Sequence, residues 1–187
     1  MKKNYSEKMV VQEWMVTALI ELMKENRFED ITVSQIAAKA GVSRMTYYRN
    51  YVSKEDILRS YTGYLTELLA QRMRQAERLD AKTYWRLVFS FIYEKRSFIT
   101  ALISSGKAEM ILDNMNENVR ALTAGKEQWA SAYAIGGLYN LMCIWARGGF
   151  RPSPEKMAGI LTGLAGEDLT ESVNRSYMRE FDRLRNG

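Results

Sequence analysis

Along nearly its whole length this chain repeats apolar residues at steps of three and four, the spacing that lays one stripe along an α-helix. Nowhere does it alternate apolar with polar residues in the manner of a half-buried strand bounded by hairpin turns. The first stripe, Val11, Trp14, Met15, Ala18, Leu19, Leu22 and Met23, predicts a helix from about Ser6 to Asn26. Thr32 followed by Gln35 forms a capping box that opens a short helix, which Gly41 stops. Ser43 caps the next, to about Asn50, and Ser53 with Asp56 starts a long helix to about Leu79. Further helices are expected over Ala81 to Lys95, Ser97 to Ser104, Glu109 to Ala124, Lys126 to Arg147, Pro154 to Ala165 and Glu167 to Leu184. The fold class is therefore all-α.

The absence of histidine among the 187 residues removes a large part of chemistry. Without imidazole there is no Ser-His-Asp or Cys-His nucleophile pair and no His-containing metal site. A single cysteine, Cys143, excludes an internal disulfide and a CxxC motif. With no Gly-rich phosphate loop either, the reading is of a binding protein and not an enzyme, with no cofactor and no metal. No apolar run approaches the roughly 20 residues of a membrane helix. The N-terminal lysines meet Glu7, Gln12 and Glu13 before any apolar stretch forms, so a cytoplasmic, reducing setting with a buried structural Cys143 is expected.

The informative stretch is Thr32 to Leu58, TVSQIAAKAGVSRMTYYRNYVSKEDIL. Two short helices joined through Ala40-Gly41-Val42 have the form of a helix-turn-helix, the glycine supplying the tight turn. The second helix would be the reader. Its start carries side chains suited to base edges and phosphates: Arg44 for guanine, Met45 and the Thr46 methyl for thymine methyls, Thr46, Tyr48 and Lys54 for phosphates, with Arg49 beside them. Tyr47, on the opposite face, is expected to pack inward. Charge favours a local reader over general coating of nucleic acid: the net +5 is spread over both halves, but residues 39 to 59 hold Lys39, Arg44, Arg49, Lys54 and Arg59 against Glu55 and Asp56.

These residues resemble the DNA-binding domain of TetR-family (TetR/AcrR) bacterial transcriptional regulators. In that pattern a Thr-capped helix, an Ala-Gly-Val turn, a Ser or Thr cap, an aromatic-Tyr pair, a further aromatic, then Lys with acidic residues and Leu follow in order. Here they are Thr32, Ala40-Gly41-Val42, Ser43, Tyr47-Tyr48, Tyr51, Lys54, Glu55-Asp56 and Leu58. The resemblance implies contact with bases or phosphates of double-stranded DNA by Arg44, Met45, Thr46 and Tyr48 and phosphate contact by Lys54; Thr32, Ser43 and Arg49 complete the candidate DNA-binding set. Tyr51-Val52 replaces a usual Phe, and Met45 stands where Gly or Pro is frequent, which leaves base preference open. The implied organisation is a three-helix helix-turn-helix domain over residues 1–60 and a helical effector-binding and dimerisation domain over 61–187.

A single reader spans few base pairs, so such a module is expected to act as a homodimer on a two-fold site. Gly136, Gly137 and Asn140, with Met157, Ile160, Leu161 and Leu164, are the candidate dimer residues, and the resemblance implies a four-helix bundle there. The glycines need a reason, since each costs about 1 kcal/mol in a helix relative to Ala. Between reader and dimer surface the resemblance implies a small-molecule pocket. The aromatic and Met content of this half gives Trp85, Phe89, Met110, Trp129, Tyr133, Tyr139 and Met142 as candidate lining for an apolar or aromatic effector, with Asn140 and Glu94 as polar groups. The reading is a ligand-responsive repressor; the alternative is a TetR-like interaction protein that acts through a protein partner without specific DNA binding.

Overall fold

The computed structural model describes residues 2–77, 79–122 and 126–165, all of whose regular elements are helical. They are α1 (Lys2–Leu22), a 3-10 turn (Phe28–Asp30), α2 (Val33–Lys39), α3 (Arg44–Asn50), α4 (Lys54–Arg74), α5 (Ala81–Glu94), α6 (Arg96–Ser104), α7 (Glu109–Leu122), α8 (Lys126–Arg147) and α9 (154–165). The helix expected over Glu167 to Leu184 lies outside the described residues. No helix among them is long and apolar enough to cross a membrane.

The helix starts follow the local chemistry of the sequence. Thr32 and Gln35 form the reciprocal capping box of α2, and the Thr46 amide donates to Ser43 Oγ at 3.0 Å to open α3. Between them Gly41 sits at φ +69°, the Gly41 amide donating to Ala38 and the Val42 amide to Ala37. This pair of bonds closes the carbonyls of α2 in a Schellman turn that a residue with a Cβ enters only at a cost. Two helices differ in their bounds from expectation: α1 spans Lys2–Leu22 and not about Ser6 to Asn26, and α4 ends at Arg74 and not near Leu79. The Gln75 amide tightens onto Gln71 and Arg72, and Asp80 caps α5 through the Thr83 amide at 2.9 Å, so the chain turns to bring Leu79 onto the core.

Two apolar clusters fill the interior. One gathers Met15, Leu19, Phe28, Ile36, Tyr47, Tyr51, Ile57, Leu58 and Tyr61, and is completed by Phe91, Phe98 and Leu102 from α5 and α6. The other joins α5 to α8 and α9 around Trp85, Phe89, Trp145 and Phe150. α4 packs on α1 at its start and on α5 and α7 along its length, so one rigid rod serves the reader and the helical half.

Burial pushes the phenols of Tyr51 and Tyr61 up to about 12, with Asp56 adding to the first and Glu13 and then Tyr64 to the second. The unfolded chain ionises these groups near pH 10 and the folded protein only near 12. Their contribution is therefore intact below about pH 10 and is lost as pH rises toward 12. The double variant Tyr51→Phe, Tyr61→Phe is expected to shift the onset of alkaline unfolding upward, as followed by circular dichroism; an unchanged onset would refute this cause.

Candidate nucleic-acid interface, cavity and apolar face

The outer face of α3 carries Arg44, Met45, Tyr48 and Arg49, all exposed, with Met45 66% and Tyr48 63% accessible. Neither arginine forms a hydrogen bond or ion pair with any described residue. Tyr47, 1% exposed, anchors the inner face and meets Tyr48 edge-on at 5.2 Å, which sets the direction of the outer ring. Ser43 Oγ and Thr46 Oγ1 share a hydrogen bond of 2.9 Å, and the Thr32 hydroxyl donates to Gln35 Oε1 at 2.8 Å. These three hydroxyls fix helix ends beside the arginines.

Lys54 departs from the phosphate role expected of it. Its ammonium donates to the carbonyls of Phe28, Glu29 and Ile31 at 2.5, 2.7 and 3.0 Å, and lies 4.8 Å above the Phe28 ring. All three N–H donors are spent within the chain. A cation is unfavourable at a helix N-terminus, so its presence at the first position of α4 is explained by what it closes: the carbonyl ends of the turn before α2. Lys107, between α6 and α7, grips the same turn from the other side, 4.9 Å from the Phe28 ring and 3.7 Å from Glu29 Oε1. Glu29's carboxyl is held below its ordinary value, first by a hydrogen bond to its own backbone and then by Lys107. Lys54→Met is expected to lower stability by about 2–3 kcal/mol in chemical denaturation, the worth of charge-assisted bonds to carbonyls that lose their donor. The salt slope of DNA binding is expected to stay unchanged; a slope reduced by about one would restore the phosphate role.

In the helical half a cavity of about 110 Å³ lies between α4, α5, α6, α7 and α8. Its wall includes Thr62, Leu65, Thr66, Leu69 and Met73 on α4, Tyr84, Val88, Phe91 and Ile92 on α5, Lys95, Phe98 and Ile99, Ile111 and Met115 on α7, and Leu138, Tyr139 and Met142 on α8. Of the expected lining, Tyr139 and Met142 are on this wall. The others are placed elsewhere. Trp85 and Phe89 occupy the other face of α5, Phe89 meeting Trp145 edge-on at 5.5 Å. Met110 packs on the cluster of the N-terminal half, and Trp129 and Tyr133 are 74% and 77% exposed. Glu94 is bound to Arg72 at 2.7 Å, and Asn140 is exposed, donating to Gly136 O at 3.1 Å, so neither is a cavity group. The sequence signal for the α4 wall was Thr62 and Thr66 set in the apolar run from Tyr61 to Met73.

On the outside, α8 shows Trp129, Tyr133, Gly137, Asn140 and Ile144 at helical steps, and α9 shows Gly159, Ile160, Gly163 and Leu164. Leu164 is 74% and Ile144 66% exposed, beside Trp129 at 74% and Tyr133 at 77%. A Cβ added at Gly136, Gly137, Gly159 or Gly163 would meet nothing within 4 Å, so packing inside the chain does not require them. Met157 and Leu161, expected on this face, are instead 6% and 7% exposed within the chain's own core. α9 is apolar on two sides, and period alone does not say which side turns inward.

The model of the bacterial regulatory proteins of the tetR family matches residues 16–61, the segment that the structure forms into α2, α3 and the helices packed on them. No curated protein is significantly similar in sequence. Solved structures share the fold. The dihydroxyacetone kinase operon activator DhaS superimposes with a TM-score of 0.62 at 16% identity, over 88% of this chain and 97% of its own. The fatty acid degradation regulator FadR from Bacillus halodurans gives 0.61 at 15% identity, over 86% and 94%. A tetR-family transcriptional regulator from Streptomyces coelicolor gives 0.50 at 13% identity, over 94% of both. The matched segment holds the capped reader helix, so residues 16–61 are similar to the DNA-binding domain of bacterial regulatory proteins of the tetR family, and the all-α body behind them shares the fold of these solved structures.

Proposed function

We propose that the protein is a ligand-responsive repressor, which binds a two-fold operator in double-stranded DNA as a homodimer and is released when a small apolar effector enters the helical half. The observation that carries this reading is the path of α4. Lys54 at its start is bonded to the turn before α2, while Thr62 to Met73 further along form one wall of the cavity. A ligand that widens this cavity presses on α4, which is tied to α7 by Thr66 Oγ1 donating to Asn114 Oδ1 at 2.8 Å. Because Lys54 and Lys107 both hold the Phe28 turn, movement of α4 is passed to α2 and α3. The free reader arginines and the unpaired apolar face of α8 and α9 supply the other requirements, DNA contact and a second subunit.

The test is linkage. Compounds that raise the melting temperature are titrated against an operator selected from a random DNA pool, with fluorescence anisotropy as readout. A compound that binds the native protein but not the cavity-filling variant Leu138→Trp is expected to weaken operator affinity, and reciprocally to bind less well when DNA is present. A cavity ligand with no effect on DNA affinity would overturn effector release.

A further inference from the structure

Building on the effector site just proposed, we infer that its ligand is an unbranched alkyl monocarboxylate whose head is held by Lys95. The wall carries five polar side chains, Thr62, Thr66, Tyr84, Lys95 and Tyr139. The Thr62 hydroxyl donates to Leu58 O at 2.9 Å, Thr66 is bonded to Thr62 O and Asn114, Tyr139 is hydrogen-bonded to Cys143, and Tyr84 is also partnered. Lys95 alone among them carries a charge, and alone has no hydrogen bond or ion pair with a described residue, its ammonium lying 5.9 Å from the Phe91 ring.

The neighbouring charges are already committed. Arg72 is bonded to Glu94, and Arg96 stacks on Tyr93 and donates to its carbonyl. No carboxylate is on the wall to neutralise Lys95. Lys95 is the N-terminal flanking residue of α6 and makes no side-chain cap there, so the positive end of that helix adjoins the residue that carries the ammonium. One ammonium balances one negative charge, which selects a monocarboxylate over a dianionic phosphate.

The rest of the wall selects the tail. Its α4 residues run from Thr62 to Met73, about 16 Å of helix, while the void is about 110 Å³. A predominantly apolar lining that extends over about three turns of α4 suits an extended alkyl chain. Each methylene removed from water among Leu65, Leu69, Val88 and Ile99 adds to binding.

Isothermal titration calorimetry of the full-length protein with octanoate, 1-octanol and octylamine tests this. Octanoate is expected to bind about tenfold or more tightly than 1-octanol, and octylamine more weakly than either. In Lys95→Met the octanoate and 1-octanol affinities should converge with 1-octanol unchanged, and in Lys95→Arg the preference should persist. Equal affinities in the native protein, or a preference surviving Lys95→Met, would overturn the inference. If neither compound binds while another cavity ligand releases the operator, the carboxylate assignment is wrong and the regulator reading stands. If octanoate binds as described but no operator is recognised, the regulator reading fails alone.

Discussion

Leu164→Arg is expected to convert the protein from dimer to monomer without unfolding it. Leu164 is 74% exposed in the single chain, so the substitution leaves the fold's own core intact. In a two-fold interface formed by α8 and α9 it appears twice, and each copy loses an apolar contact and places a charge in a desolvated seam. A central apolar contact is worth about 2 kcal/mol or more, so the paired change costs on the order of 4 kcal/mol, roughly a thousandfold in the dimer dissociation constant. Sedimentation equilibrium reads this directly. Leu161→Ala provides the contrast: Leu161 is buried inside the chain, and its truncation should cost about 2–5 kcal/mol of folding stability. An unchanged dimer in Leu164→Arg would remove α9 from the interface.

Arg44→Ala is expected to weaken the specific site by about 1–3 kcal/mol for each half-site, hence about 2–6 kcal/mol for a two-fold operator. The basis is geometric: Arg44 is the first residue of α3, exposed, and without a hydrogen bond or ion pair to any described residue. Non-specific affinity should fall far less, so the ratio of specific to non-specific binding carries the test. A uniform loss across all sequences would make Arg44 a phosphate contact and move base reading to other residues of α3.

What was legible in the sequence was what short-range chemistry decides. The Thr32–Gln35 box, the Ser43 cap and the Gly41 turn each close within a few residues, and Tyr47 is turned inward by the same period that turns Tyr48 out. Illegible features depend on partners far along the chain. Lys54 has the position of a phosphate contact, but the carbonyls it binds belong to residues 23 to 26 positions earlier. α5 is apolar on both faces, so composition pointed to Trp85 and Phe89, whereas Tyr84, Val88, Phe91 and Ile92 line the cavity. The same ambiguity separates Met157 and Leu161, which go inward, from Ile160 and Leu164, which stay outside. A helix with two apolar sides is oriented by its neighbours, and that information is tertiary.

On this reading α3 recognises a specific DNA sequence from a dimeric body. This is tested most directly by footprinting and fluorescence anisotropy of the intact dimer on the DNA upstream of its own operon, across a salt titration. Protection is expected at a two-fold site whose half-sites are a whole number of helical turns apart, with affinity far above non-specific DNA at physiological salt and lost in Arg44→Ala. An intact dimer with no salt-stable specific binding at any site would contradict this reading.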